Sequence, residues 1–337
     1  MWQQARKRIY HFIINFCTDL YFYNHKLCTH FLLLPIGFIV RIESTPDSIF
    51  IVQHLRWIEK PIVHDAIFLA AFTGWNDAGD AASEAVKYLT RRFEGKLIAS
   101  IDPEYFYDFA SLRPNVRLEG DERHIDWPAN EVRIAELDDG RSLITLVGIE
   151  PRLRWQTYAK TLTTIASELN VKTAITLGAL LTDTHHQAPI EVIGASSNKI
   201  VNRDEGLEQS SYEGPTGIVG VLNESFHSKG FTSLSFWAKV PSYIGHSPSP
   251  KAALALAKRT ADFLSITLGA TDLQIAASNY EQQLDALVAS DPNLSQYADQ
   301  ILEHEAGQAA DEIGEMADNP QEMIDELEQF LRQQDEQ

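Results

Sequence analysis

The stretch AIFLAAFTGWNDAGDAASEAVKYL, Ala66 to Leu89, joins an apolar run to a helical pattern through a polar corner that contains glycine. Ala66 to Phe72 is too short for a helix of its own and ends at a turn signal. This predicts a central strand covered on both faces. Gly74 and Gly79 flank the corner, in which Trp75, Asn76 and Asp77 stand. Asp77 is placed to cap the following helix, with Asp80 favouring the positive end of its dipole. Ala78, Ala81, Ala82, Ala85, Val86 and Leu89 then recur at helical spacing, so a narrow face of small side chains lets the helix sit close to its sheet. Two readings of the corner stay open: a strand-to-helix connection that happens to be polar, or Asn76 and Asp77 facing a crevice at the carboxyl end of the sheet.

The rest of the chain repeats this alternation. Ile49 to Leu55 is read as an edge strand, Lys96 to Ile101 as a second strand, and Asp102 to Trp127 as a loop-rich, packed excursion. Glu131 to Leu137 and Ser142 to Gly148, joined at Asp139-Gly140, give a hairpin signal. Pro151 opens a helix through Trp155, Tyr158, Leu162, Ile165 and Leu169. Further strands are predicted over Val171 to Leu181, Pro189 to Gly194 and Phe231 to Val240, with a polar connection up to Ser211. Helices follow Pro215 and Pro250. The order predicts an α/β protein, a three-layer α/β/α sandwich on a mainly parallel sheet with an antiparallel member from the hairpin. Past Gly269 the chain turns acidic and three helices are expected, over Thr271 to Val288, Asn293 to about Ile313 and Asn319 to Arg332. The expected division is an N-terminal extension (1–43), the α/β/α core (44–269) and an acidic C-terminal helical appendage (270–337). The appendage is read either as a solvated acidic face or as a partner-docking element.

Bulk properties narrow the function classes. A chain of 337 residues with 44% apolar content can bury a substantial core, and its net charge of −19 opposes nucleic acid or an anionic membrane as partner of the core. Cys17 and Cys28 both lie in the basic, aromatic-rich first forty residues. The core therefore carries no disulfide framework, and a reducing cytoplasm is the expected location. That first segment lacks an unbroken apolar run of spanning length, and is read as an extension outside the fold or as a segment touching a membrane. Neither CxxC nor HExxH occurs, and no metal or cofactor is expected.

Polar segments follow directly on the inner strands: Asn76-Asp77, Glu150 to Arg154, Asp183-Thr184-His185-His186, and Tyr243 to His246. Tyr212-Glu213 precedes a helix that starts on the same side if the crossovers are right-handed. The candidate crevice is thus lined by Trp75, Asn76, Asp77, Glu150, Arg154, Asp183, His185, Tyr212, Glu213 and Thr216. Asp183 with His185 has the residue types of a base and its orienter, and Glu150 those of a general acid if buried. Against this, no G-x-S-x-G elbow supplies a nucleophile, and neighbouring His185 and His186 make poor co-ligands. Gly214-Pro215-Thr216-Gly217 ahead of a helix is read as an anion cradle or as glycines permitting close packing. Arg152 and Arg154 beside Glu150 are read as a plain ion pair.

Five ordered segments, FTGWNDAGDAA, GIEPRLRW, LGALLTDTHH, YEGPTGIVGVL and WAKVPSYIGHSPSPKAALAL, resemble the bacterial branch of the proteasome-assembly-chaperone family over about Pro61 to Leu268. The resemblance implies a three-layer α/β/α fold akin to the phosphorylase/hydrolase type and homo-oligomers, trimers among them. In the better understood branches it also implies binding to proteasome subunits. It carries over no catalytic residue. Two departures stand out. The Asp-Thr-Pro-His usual in the family is here Asp183-Thr184-His185-His186, and the chain ends Gln334-Asp335-Glu336-Gln337 in place of the archaeal hydrophobic-Tyr-any tail. Two functions are therefore carried forward: a non-enzymatic, self-associating assembly protein that escorts proteasome-like subunits, or a hydrolase or phosphorylase acting on a small polar substrate such as a nucleoside.

Overall fold

Ile67–Thr73 is a strand in which all but the last residue are buried, so its apolar run is explained by cover on both faces. The computed structural model of the chain describes residues 54–207, 212–244 and 247–304, together with two short strands, β1 (Leu32–Leu33) and β2 (Ile39–Val40). Those two pair antiparallel within residues 1–50, a unit separate from residues 51–337. The rest of the first segment and the third expected C-terminal helix lie outside the described residues.

The second unit holds an eight-stranded mixed sheet. Its strands are β3 (Leu55–Trp57), β4 (Ile67–Thr73), β5 (Lys96–Ile101), β8 (Asn130–Glu136), β9 (Ser142–Ile149), β10 (Thr173–Thr182), β11 (Val192–Ser196) and β12 (Thr232–Pro241). They are ordered β11-β12-β10-β4-β9-β8-β5-β3. The inner four, β12, β10, β4 and β9, are mutually parallel. The hairpin β8–β9 supplies the expected antiparallel member. Two edge strands add to it, since β11 runs against β12 and β3 against β5.

Helices cover both faces. On one side α1 (Ala81–Arg92) and α5 (Pro250–Leu264) bury Ala82, Ala85, Leu89, Leu256 and Ala261 against Leu69, Leu177 and Phe236. On the other, α2 (Trp155–Glu168) and α4 (Ile218–Ser228) bury Tyr158, Leu162, Leu222 and Phe226 against Phe68, Phe72 and Leu146. A three-layer α/β/α sandwich results. Helix α3 (Lys199–Glu205) lies beside β11, and α6 (Thr271–Ser290) packs on α5. A further helix occupies residues 292–304. A separate hairpin, β6 (Asn115–Glu119) with β7 (Glu122–Asp126), falls where the sequence suggests only a packed loop.

Candidate functional site

The corner after β4 decides the geometry at the carboxyl end of the sheet. Asp80, at φ 50, and not Asp77 is the N-cap residue of α1, because a single 3-10 turn, Ala78–Asp80, intervenes; the Asp77 carboxylate nevertheless reaches N–H groups of the helix's first turn. Its Oδ1 accepts from the N–H of Ala82 at 2.7 Å and of Ser83 at 3.3 Å. Gly79 sits at φ +60 with Ser249 pressed against it, and Ser249 N–H donates to its carbonyl at 2.7 Å, so a side chain fits here neither sterically nor conformationally. Ahead of the turn, the carbonyl of Asn76 accepts from Ala179 N–H at 2.8 Å, which extends the pairing of the corner to β10.

Asn76, Asp77 and Glu150 are all buried. Glu150 follows β9, and its Oε1 accepts from Asn76 Nδ2 at 2.7 Å and from the N–H of Ile218, the first residue of α4, at 3.0 Å. The anion at this helix N-terminus is therefore a carboxylate of the chain itself. Gly217, the N-cap, leaves room for the Asn76 amide, into which a Cβ at that position would run. Beneath Glu150, the Tyr107 hydroxyl donates to the Ile149 carbonyl at 2.6 Å and receives a bond from Asn130 Nδ2. Burial raises the Tyr107 hydroxyl well above its usual range.

Burial also pushes the Asp77 carboxyl up to about 6, partly offset by its bonds to Ser83 and Ala82. Its Oδ2 and the Oδ1 of Asn76 are buried without a hydrogen-bond partner among the described residues. A carboxyl near 6 has the acidity of a general acid or base, but this one holds two helix N–H groups and is closed off from solvent.

Asp183 and His185 belong to a second cluster. Asp183 Oδ1 accepts from the hydroxyls of Ser242 at 2.9 Å and Tyr297 at 3.2 Å. His185 is buried, its Nδ1 accepting from Gln187 N–H at 3.2 Å, and its ring lies against His186 with centroids 4.3 Å apart. His186, not singled out as a site residue, meets the Tyr243 hydroxyl at 2.6 Å and Asp285 at 3.1 Å through its two ring nitrogens. Lys251 donates to the carbonyls of His186 and Ala188 and pairs with Glu281 at 2.7 Å. These bonds tie the loop after β10 to α5 and α6. His246 lies outside the described residues.

The remaining candidates are exposed. Trp75 is 66% and Tyr212 67% accessible, and the Tyr212 hydroxyl donates to the Pro215 carbonyl at 2.9 Å. Glu213 and Thr216 are exposed beside it. Arg154 makes no ion pair with Glu150 among the described residues, correcting that expectation; it begins α2 at φ 55 and lies over the Tyr105 ring. Two grooves, of about 540 and 620 Å³, lie elsewhere and are lined by none of the predicted residues. Among the described residues no cluster of His, Cys, Asp and Glu could hold a metal ion, and no helix is long and apolar enough to cross a membrane.

The corner, the capped helices and the layered sheet together define a class: a three-layer α/β/α protein in which its own side chains fill the polar positions at the strand ends. Residues 71–288 match the PAC2 family, and the chain belongs to it. The crystal structure of a PAC2 family protein from Streptomyces avermitilis is 40% identical, with a TM-score of 0.65 over 69% of this chain and 99% of that one. A proteasome-assembly chaperone homologue from Mycobacterium tuberculosis is 38% identical, with a TM-score of 0.63 over 68% of this chain and 99% of that one. PbaB from Pyrococcus furiosus, an archaeal proteasome activator, shares the fold at 18% identity, with a TM-score of 0.57 over 69% of this chain and 97% of that one. No curated protein matches the chain.

Proposed function

We propose that this chain is a non-enzymatic assembly protein of the proteasome-assembly-chaperone type, which self-associates and escorts proteasome-like subunits in the cytoplasm. One observation carries the reading. At the carboxyl end of the parallel strands Glu150 is taken up by Asn76 and the Ile218 N–H, and Asp183 by Ser242 and Tyr297, while large apolar side chains stand exposed: Trp75 after β4, Leu153 after β9, Leu181 at the end of β10 and Tyr212 ahead of α4. A rim of that kind suits contact with another protein surface better than capture of a small polar substrate. The relative named as a proteasome-assembly chaperone homologue points to the kind of partner.

The test is capture of purified proteasome core-particle subunits by the full chain. The expected result is saturable binding that Trp75→Ala together with Tyr212→Ser weakens at least tenfold while leaving the unfolding midpoint unchanged. Absence of binding by the unaltered chain, with normal particle assembly in cells lacking it, would remove the escort role.

A further inference from the structure

Among the described residues the β6–β7 hairpin joins no other sheet, and every position in it except His124 is exposed. Directly opposed residues share a face. The register sets Val116 with Ile125 and Leu118 with Arg123 on one side, and Asn115 with Asp126, Arg117 with His124 and Glu119 with Glu122 on the other. The second side is held by charge: Arg117 pairs with Glu119 at 2.7 Å and with Asp126 at 3.1 Å, and His124 faces Glu119 and Glu122. On the first side Val116, Leu118 and Ile125 are 51%, 70% and 52% accessible. A two-stranded ribbon alone is marginal in water. One with an ionic face and a bare apolar face has a side to be covered.

What covers it must bring both apolar surface and carboxylate. Arg123 is the only charged member of the apolar side, and it makes no ion pair among the described residues. Packing two such hairpins face to face would bury both guanidiniums without a counter-charge, which is costly. Residues 271–304 fit instead. They carry six carboxylates with no lysine or arginine; Asp272, Glu281 and Asp285 are taken up by Tyr88, Lys251 and His186, while Asp299 and Glu303 stand exposed beside Leu302. They also expose Ile275, Leu287 and Leu302. We propose that the apolar face of the β6–β7 hairpin docks on the acidic helical face of residues 271–304 in a second copy of the chain, joining copies head to tail. This rests on the self-association in the proposed function and specifies its surfaces. Such a contact uses two different patches, so it closes into a ring or continues as a filament.

Sedimentation of the full chain tests it. The unaltered protein is expected above the mass of one chain. Leu118→Asp, and separately Leu287→Asp with Leu302→Asp, are each expected at the mass of one chain with unfolding midpoints unchanged. Mixed together, the two variants retain one intact hairpin and one intact helical face between them, and they should form a two-chain species and nothing larger. Arg123→Glu, an exposed change, should weaken association at least tenfold, while Arg123→Lys stays within about threefold. If Leu118→Asp keeps the mass of the unaltered protein, or if the mixture stays at one chain, the hairpin contact is wrong although self-association stands. If the unaltered protein is itself a single chain, self-association falls with it.

Discussion

Two buried carboxylates at the strand ends have different energetic roles. Glu150 satisfies two donors at once, the Asn76 amide and the Ile218 N–H. Glu150→Ala leaves both unpaired, at about 1–3 kcal/mol for each buried group, so a loss of about 3 kcal/mol is expected. Glu150→Gln keeps an oxygen in place and gives up only the charge, at about 1 kcal/mol. Urea unfolding of the two variants distinguishes this ranking from one in which the charge itself matters most. Asp77 works in the opposite sense. Burial raises its carboxyl from 3.8 to about 6, so the folded chain binds this proton more tightly than the unfolded one. Its stabilising contribution is full below pH 3.8 and is lost as pH rises through 6, by about 3 kcal/mol for a shift of that size. Asp77→Asn retains the Oδ1 acceptor for Ala82 and Ser83. The variant is expected to show a stability difference between pH 4.5 and 7.5 about 2 kcal/mol smaller than the unaltered chain. An equal pH dependence in both would show that Asp77 is not the group responsible.

At the scale of elements, close approach between α4 and the corner depends on Gly217, whose φ of −93 any residue adopts; the Asn76 amide is the group a side chain there would meet first. Gly217→Ala is therefore expected to cost about 1–3 kcal/mol in chemical unfolding, as an overpacked contact does. In Asn76→Ala the space is free, and adding Gly217→Ala to it should cost less than about 0.5 kcal/mol, a non-additivity that a purely conformational effect of glycine would not give. The sequence makes the strand β4, the alanine-lined α1 and the Glu150 turn legible because each is a local pattern: an apolar run, a helical spacing, a polar break after a strand. The β6–β7 hairpin escapes such reading. Both its faces meet solvent, so no buried alternation marks its strands. Helix α3 escapes as well, being short and polar. The site was legible as positions at the sheet end, not as pairings. Asp183 meets Tyr297, 114 residues away, and His186 meets Asp285, 99 residues away; nothing local in the chain announces either contact.

For the whole molecule the deciding quantity is the net charge of −19. Two compact chains of this length in contact have centres about 50 Å apart, and two charges of −19 at that distance repel by roughly 5 kcal/mol at 0.01 M salt, against well under 1 kcal/mol at 0.15 M, where the Debye length is about 8 Å. A local attraction such as Arg123 with one carboxylate near the surface offers only about 1 kcal/mol, and salt weakens it. The long-range repulsion is therefore the larger salt-sensitive effect. Self-association is expected to tighten on going from low to physiological ionic strength, contrary to the usual behaviour of an ion-paired interface. Sedimentation equilibrium across that range checks the sign. Tightening would mean that apolar contact at Val116, Leu118 and Ile125 drives assembly while Arg123 sets which patch is met. Loosening would mean that charge pairs at the interface outweigh the field of the whole chain, and that Arg123 and its carboxylate partners hold the copies together.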